Sequence, residues 1–157
     1  MNRVGIGIDV HRFAAGRKCI LGGVEIPHDV GLEGHSDADV LAHAIADALL
    51  GAVALGDIVK YYPPSDMKFN DMNSMVIVKE CAERVRKAGG SINNVDAMII
   101  AQAPKMAPYI PKMQEILGKN LGVAPTRVGV KATTSEHMGF TGREEGIVVV
   151  AIASVEM

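Results

Sequence analysis

The chain has 157 residues, of which 48% are hydrophobic and 22% charged, with 16 basic against 18 acidic side chains. That length suits one domain over residues 1–157 with its own core, and the composition excludes disorder and coiled coil. A formal charge of −2, with 4% aromatics and no Trp, argues against nucleic-acid binding, and no apolar run approaches the roughly 20 residues of a membrane span.

Residues 4–10 read as a buried strand, in which Val4, Ile6, Ile8 and Val10 alternate with Gly5, Gly7 and Asp9. Residues 19–27 form a hairpin turning at Gly22-Gly23. A loop at 31–34 leads to Ser36, expected to cap a helix, with Asp39 three residues on at the acidic capping-box position. That helix carries Val40, Leu41, Ala44, Ile45, Ala48 and Leu49 on a 3.6-residue period and ends at Gly51 or Gly56. Two prolines make 61–66 a loop. A second helix runs from about residue 73 to 88 and stops at Gly89-Gly90. Residues 92–101 alternate as a strand, with Val95, Ala97, Ile99 and Ala101 on one face, until Pro104 breaks it. A third helix spans 109–121 with Pro111 near its first turn. Strands follow at 127–132 and 147–155.

Residues 147–153 are apolar on both faces, the pattern of a strand covered on both sides. Three helices cover one face of the sheet, and a second copy of the chain is the simplest cover for the other. A mean hydropathy of +0.19 points the same way. The expected fold class is α+β (α/β), a four- to five-stranded mixed sheet with helices on one face, in a homo-oligomer. The N-terminus carries Asp9 where a signal peptide would stay apolar. Cys19 and Cys81 stand far apart without metal-type spacing. Both features suggest a cytoplasmic protein with reduced thiols, whose metal ligands must be His, Asp or Glu.

Asp9 and His11 share one face of a strand, so a carboxylate and an imidazole can meet one ion. Taken alone, they read equally as a turn-forming Asp beside a solvated His. His43 lies inside an aliphatic helix, where a lone His is usually a satisfied core residue. Together the three make an Asp/His/His set with a fourth position free, the pattern of catalytic zinc. His35 and Ser36 precede a helix whose N-terminus favours anions, or serve only as loop and cap. Lys131, Thr133, Thr134 and Glu136 follow a strand, where hydroxyls and a carboxylate suit phosphate and a hard cation, or form a polar turn. No nucleophile triad and no phosphate-binding glycine loop is present.

Six blocks, taken in order, resemble one family. They are 7–13 (GIDVHRF), 34–40 (GHSDADV) with His43, 48–52 (ALLGA), 55–58 (LGDI), 100–106 (IAQAPKM), and 130–134 (VKATT) through 140–143 (FTGR). The chain is identified by these as similar to the 2-C-methyl-D-erythritol 2,4-cyclodiphosphate synthases of the non-mevalonate isoprenoid pathway. The resemblance implies ring closure of 4-diphosphocytidyl-2-C-methyl-D-erythritol 2-phosphate with release of CMP. It implies Zn2+ on Asp9, His11 and His43, and Mg2+ or Mn2+ on Glu136 and the substrate diphosphate. It also implies catalytic phosphate and methylerythritol contacts from His35 and Ser36, ribose hydroxyls on Asp57, and a substrate contact from Asp66. Ala101, Pro104, Lys105, Met106, Ala132, Thr133 and Thr134 are implied as the cytidine pocket and its phosphate contacts, with Lys105 and Thr134 catalytic. The implied assembly is a homotrimer with sheets around a threefold axis and sites between subunits. Phe140 and Arg143 are implied to line a central cavity for an isoprenoid diphosphate. Val59, Pro64, His137 and Glu144 depart from the family's usual residues. Two other readings remain open at this level: a zinc phosphohydrolase, which would release orthophosphate, and a non-catalytic oligomeric binder of nucleotides or isoprenoids.

Overall fold

A five-stranded sheet carries the chain, with strands β1 (Asn2–Ala14), β4 (Gly31–Leu32), β5 (Ser91–Ile100), β6 (Val128–Thr133) and β7 (Gly146–Glu156). The computed structural model describes all residues, 1–157. The strand order is β4-β1-β7-β5-β6. Only β5 and β6 run parallel, and the remaining pairs are antiparallel. A separate hairpin, β2 (Cys19–Leu21) with β3 (Val24–Ile26), turns at Gly22 and Gly23 as the sequence predicts. Both glycines have positive φ, 59° and 77°, which the tightest hairpin turns require.

Helices α1 (Val40–Ala52), α3 (Ser74–Lys87) and α4 (Ile110–Leu121) match the three predicted segments, and the short helix α2 (Ile58–Tyr61) lies in the stretch between the first two. The N-cap of α1 differs from expectation. It is Asp39, which accepts the Ala42 amide, and not Ser36. Asp39 is fully buried, and its carboxylate also accepts the Gly22 and Gly23 amides at 2.9 and 2.8 Å. A carboxylate with three acceptor contacts outcompetes a hydroxyl for the cap and ties the hairpin to the helix. Val53, not a glycine, closes the C-terminus of α1. The predicted loop at 31–34 contains the two-residue strand β4, which extends the sheet by pairing with Phe13 and Ala14.

The larger correction concerns β1. The sequence reads it as a buried strand and does not say which row meets the helices. Val4, Ile6, Ile8 and Val10 are instead 49% to 66% exposed, and Gly5 and Gly7 face the helix. A Cβ at Gly7 would overlap the Ala44 carbonyl oxygen, and one at Gly5 the Ala48 carbonyl oxygen. Helix α1 is therefore laid almost backbone to backbone on β1. Small residues continue the bed beneath it, since Gly7 pairs with Ala151 and Ala151 with Ala97. The buried row of β7 (Ile147, Val149, Ala151, Ala153, Val155) and the buried row of β5 (Val95, Ala97, Ile99) complete this side of the core. The opposite face of the sheet bears no helix and presents the β1 stripe beside Ile152 of β7.

Gly7→Ala is expected to destabilise the protein by at least about 3 kcal/mol, the upper end of ordinary overpacking. The added methyl meets backbone, which cannot rotate away. Because α1 carries His43, the same substitution should also weaken metal binding. Urea unfolding and metal titration of the variant check both effects.

Candidate metal centre and active site

The close approach of α1 to β1 has a direct consequence one turn further along the helix. Asp9 and His11 lie on the helix-facing side of β1, and His43 projects towards them from the first turns of α1. Asp9 Oδ2 lies 2.9 Å from His11 Nε2 and 3.2 Å from His43 Nδ1, and the two nitrogens are 3.4 Å apart. A tetrahedral ion with bonds of about 2.0–2.1 Å holds neighbouring donors about 3.3 Å apart. These three atoms thus form one face of such a tetrahedron and together make a candidate metal site. One carboxylate oxygen and two imidazole nitrogens are the borderline donor set that suits zinc among divalent ions.

The far side of each imidazole is held as well. His11 Nδ1 donates to the Glu33 carbonyl at 2.6 Å, which leaves the Nε2 lone pair for the site. His43 Nε2 lies 2.9 Å from Ser74 Oγ and 3.1 Å from Ser36 Oγ. Burial opposes ionisation of Asp9, but hydrogen bonds and charge from His11 and His43 outweigh it and bring its pKa down to about 2. Burial likewise opposes protonation of His11, and the Asp9 carboxylate more than compensates, so the His11 pKa is raised.

Ser36 is buried, with its hydroxyl turned to His43 and to the Ala38 amide. It supports His43 from behind and does not cap α1. His35 is exposed in the same loop, and its carbonyl accepts the Asp71 amide at 2.8 Å. Arg17 pins this loop by donating to the carbonyls of Leu32, Gly34 and Ser36 at 3.0, 3.2 and 3.0 Å. Asp57 and Asp66 cap two short helical turns, α2 and residues 67–69, by accepting the Lys60 and Lys68 amides.

A second cluster forms where β5 and β6 end. Ala101, Pro104, Lys105, Met106, Ala132, Thr133 and Thr134 line one open cleft of about 330 Å³, joined by Gln102 and Ala107. All seven predicted pocket residues therefore come together. Glu136 follows on an exposed loop with φ 54°, next to His137 at 61°. Two consecutive non-glycine residues in the left-handed region cost about 1–3 kcal/mol each, and such strain concentrates at functional sites. This cleft shares no lining residue with the metal triad, and β7 and β5 separate β1 from β6 in the sheet. Phe140 helps to line a third, wider depression of about 700 Å³ together with Val10, Arg12 and Glu144. Arg143 does not line it, and its guanidinium is paired with Glu145 at 2.9 Å.

Sequence reasoning missed Ser74, Asp37 and Arg17. Each serves the site through contacts with residues distant in sequence, and Ser74 reads as an ordinary polar position after the Asn73 cap. A fully buried serine held between Asp37 and His43 is visible only once the helix is docked.

The fold and the triad define an α+β protein with a candidate three-donor metal site between β1 and α1 and an open cleft where β5 and β6 end. The chain belongs to the YgbB family, whose model matches residues 2–156. It is 58% identical over 149 residues to a 2-C-methyl-D-erythritol 2,4-cyclodiphosphate synthase of Cupriavidus necator, covering 95% of this chain and 88% of that protein. It superposes on the bifunctional IspDF of Campylobacter jejuni with a TM-score of 0.95 at 42% identity, covering 99% of this chain. This chain spans 42% of the length of that protein. The IspF of Plasmodium falciparum, in complex with CDP, matches with a TM-score of 0.86 at 29% identity over 98% of this chain and 95% of the other.

The shifted values of Asp9 and His11 predict a pH signature for the metal-free protein. The Asp9 contribution to stability is present above the unfolded value of 3.8 and is lost as pH falls through about 2. The His11 contribution is complete below 6.5 and is lost as pH rises through the raised folded value. Metal binding requires the deprotonated imidazole, so it gains where the ion pair loses. Melting temperatures with a chelator should fall as pH rises through the raised His11 value, whereas with added zinc they should rise. Parallel pH profiles with and without zinc would contradict this.

Proposed function

We propose that the chain is a metal-dependent phosphorus–oxygen lyase of isoprenoid biosynthesis. It converts 4-diphosphocytidyl-2-C-methyl-D-erythritol 2-phosphate to 2-C-methyl-D-erythritol 2,4-cyclodiphosphate and CMP. An oxygen of the 2-phosphate bonds to the β-phosphorus, and the bond from that phosphorus to the bridging oxygen breaks. CMP leaves with the electron pair. The observation that carries this reading is the convergence of Asp9, His11 and His43 donors in tetrahedral spacing, in a chain so similar to known synthases. No protein nucleophile is needed, and the work lies in positioning and charge stabilisation.

Asp9, His11 and His43 would hold Zn2+, which when bound supplies a Lewis acid for a β-phosphate oxygen. Glu136 would hold Mg2+ or Mn2+ with the diphosphate. His35 is exposed on the loop that Arg17 pins, and it would contact phosphate. Ser36 would act through His43. Asp57 would take the ribose hydroxyls with the carboxylate oxygen that capping leaves free, and Asp66, paired with Lys68 at 3.3 Å, would also contact substrate. The cleft from Ala101 to Met106 and Ala132 to Thr134 would take cytidine, with Lys105 and Thr134 on its phosphates.

The separation of triad and cleft supports a site completed by a second copy, whose cleft would face this chain's metal centre. The exposed stripe of Val4, Ile6, Ile8 and Val10 supports a homotrimer packed sheet to sheet about a threefold axis. Phe140 would then lie near that axis, where an isoprenoid diphosphate would bind, with Arg143 reaching it on release from Glu145. The chain would work as one domain in the cytoplasm, where its free thiols Cys19 and Cys81 stay reduced. No helix is long and apolar enough to cross a membrane.

Phosphorus NMR of the protein with the CDP-linked substrate, zinc and magnesium should show the cyclic diphosphate and CMP in equal amounts. Orthophosphate as the product would point to a phosphohydrolase, and no turnover to a binding protein. His43→Ala should fold, lose zinc and make no cyclic product, because three ligands leave no redundancy. A full zinc complement in that variant would end the metal assignment.

Sedimentation equilibrium should give about three times the 16.6 kDa chain mass. Ile6→Asp with Ile152→Asp should reduce it to the monomer and abolish turnover while retaining zinc. A monomeric parent protein with full activity would remove the shared site.

A further inference from the structure

The side of His43 turned away from the metal centre holds an arrangement that the reaction chemistry does not call for. Ser74 opens α3, 31 residues from His43, and is fully buried. The helix does not need its hydroxyl, because Asn73 already caps α3 by accepting the Met75 amide. The Ser74 hydroxyl is instead held between two partners, Asp37 Oδ1 on one side and His43 Nε2 at 2.9 Å on the other. Asp37 is fixed as well. Its carboxylate accepts the Ser74 amide at 3.0 Å and the Asp39 amide at 3.1 Å, and its own amide donates to the Met72 carbonyl at 3.1 Å.

With an ion on Nδ1 of His43 the ring proton must sit on Nε2, and the groups around Nε2 are arranged to accept it. An ionised carboxylate only accepts, so the Ser74 proton is committed to Asp37. The Ser74 oxygen then has only lone pairs to offer His43, and Nε2 must be the donor. With the proton on Nε2, the Nδ1 lone pair is left to face Asp9 and His11. Ser36 Oγ is also 3.1 Å from Nε2. It accepts the Ala38 amide at 3.2 Å and lies 3.3 Å from Ser74 Oγ, so its own proton can go to Ser74 and it too offers lone pairs to Nε2.

We propose that Ser74, oriented by Asp37, is a positioning residue that fixes the tautomer and ring orientation of His43 as a metal ligand. The inference rests on the metal reading given above. The device couples three segments, namely the loop at 34–39, α1 and the start of α3. It explains why a serine is buried where an alanine would fill nearly the same space. Outer partners of ligating histidines typically contribute 10- to 100-fold to metal affinity, and that is the scale assigned to this pair.

Ser74→Ala removes the acceptor while keeping the Asn73 cap and a good helix former. Zinc affinity, measured by competition with a chromophoric chelator at fixed pH, should fall 10- to 100-fold, and saturating zinc should restore turnover. In the zinc-loaded protein labelled with ¹⁵N at histidine, the parent should show a slowly exchanging Nε2 proton on His43, and Ser74→Ala should lose it to solvent exchange. Asp37→Asn leaves Ser74 in place with a weaker acceptor, and it should shift zinc affinity in the same direction by a smaller factor. This second variant carries the test if Ser74→Ala does not fold.

Zinc affinity within twofold of the parent in the folded variants would overturn the inference, as would a His43 Nε2 proton that exchanges with solvent as fast in the zinc-loaded parent as in Ser74→Ala. Either result leaves the metal site itself standing on His43→Ala. A parent protein that takes up no stoichiometric zinc would end both.

Discussion

The contact on which the rest of this structure depends is that of α1 with the glycine face of β1. Gly5 and Gly7 let the Ala44 and Ala48 carbonyls come to where side chains would otherwise stand. Alanines on the helix and Ala151, Ala153 and Ala97 in the neighbouring strands keep the seam thin. Protein interiors at crystal-like density transmit such spacing rigidly. The distance between helix and strand is therefore set by backbone, and one turn along it brings an imidazole of α1 within reach of a carboxylate and an imidazole of β1. A bulkier seam would leave the three donors too far apart to share an ion.

The same choice of small residues on the helix side sends the large ones to the other side. Period-two alternation leaves Val4, Ile6, Ile8 and Val10 on the face that no helix covers. A stripe of branched aliphatic side chains in water is unfavourable by roughly 25 cal/mol per Å² of apolar surface, and it flanks Ile152 in the adjacent strand. The tight internal seam and the apolar outer face are thus two consequences of one alternating sequence. They place the candidate metal site on the covered face and the apolar stripe on the open one.

Around the centre, polar groups take the places that a purely apolar core would fill. Buried Asp39 gathers three amides from the hairpin and from α1, and desolvation raises its pKa above the usual carboxylate range despite them. Arg17 gathers three carbonyls of the loop that bears His35 and Ser36. Asp37 and Ser74 hold the back of His43. Half-satisfied networks of this kind are costly and satisfied ones impose a unique arrangement. Here they hold a loop, a hairpin and two helix ends in a single relation to the ligands.

Much of this was legible in the residues. The 3.6-residue and two-residue periods located all three long helices and the main strands within a few positions, because those periods record that the two sides of an element differ. The six motifs identified the triad, and the residues named for the cleft do line one cleft. Which face of β1 is buried was not legible. Alternation shows that two faces differ, but not that a glycine row can be the inner one, since that depends on a helix arriving from residues 40–52. The cap of α1 was misassigned for a related reason. Ser36 and Asp39 are equivalent locally, and only the Gly22-Gly23 amides, supplied from across the fold, decide for Asp39. Ser74 and Arg17 left no local signal, and Asp37 stands in a matched motif without its role being readable there. Sequence by itself determined the periods, the turns and the donor types, which are properties of neighbouring residues. The tertiary structure decided the partners, because a buried hydrogen bond or a ligand–ligand distance belongs to segments that meet only when the chain is folded.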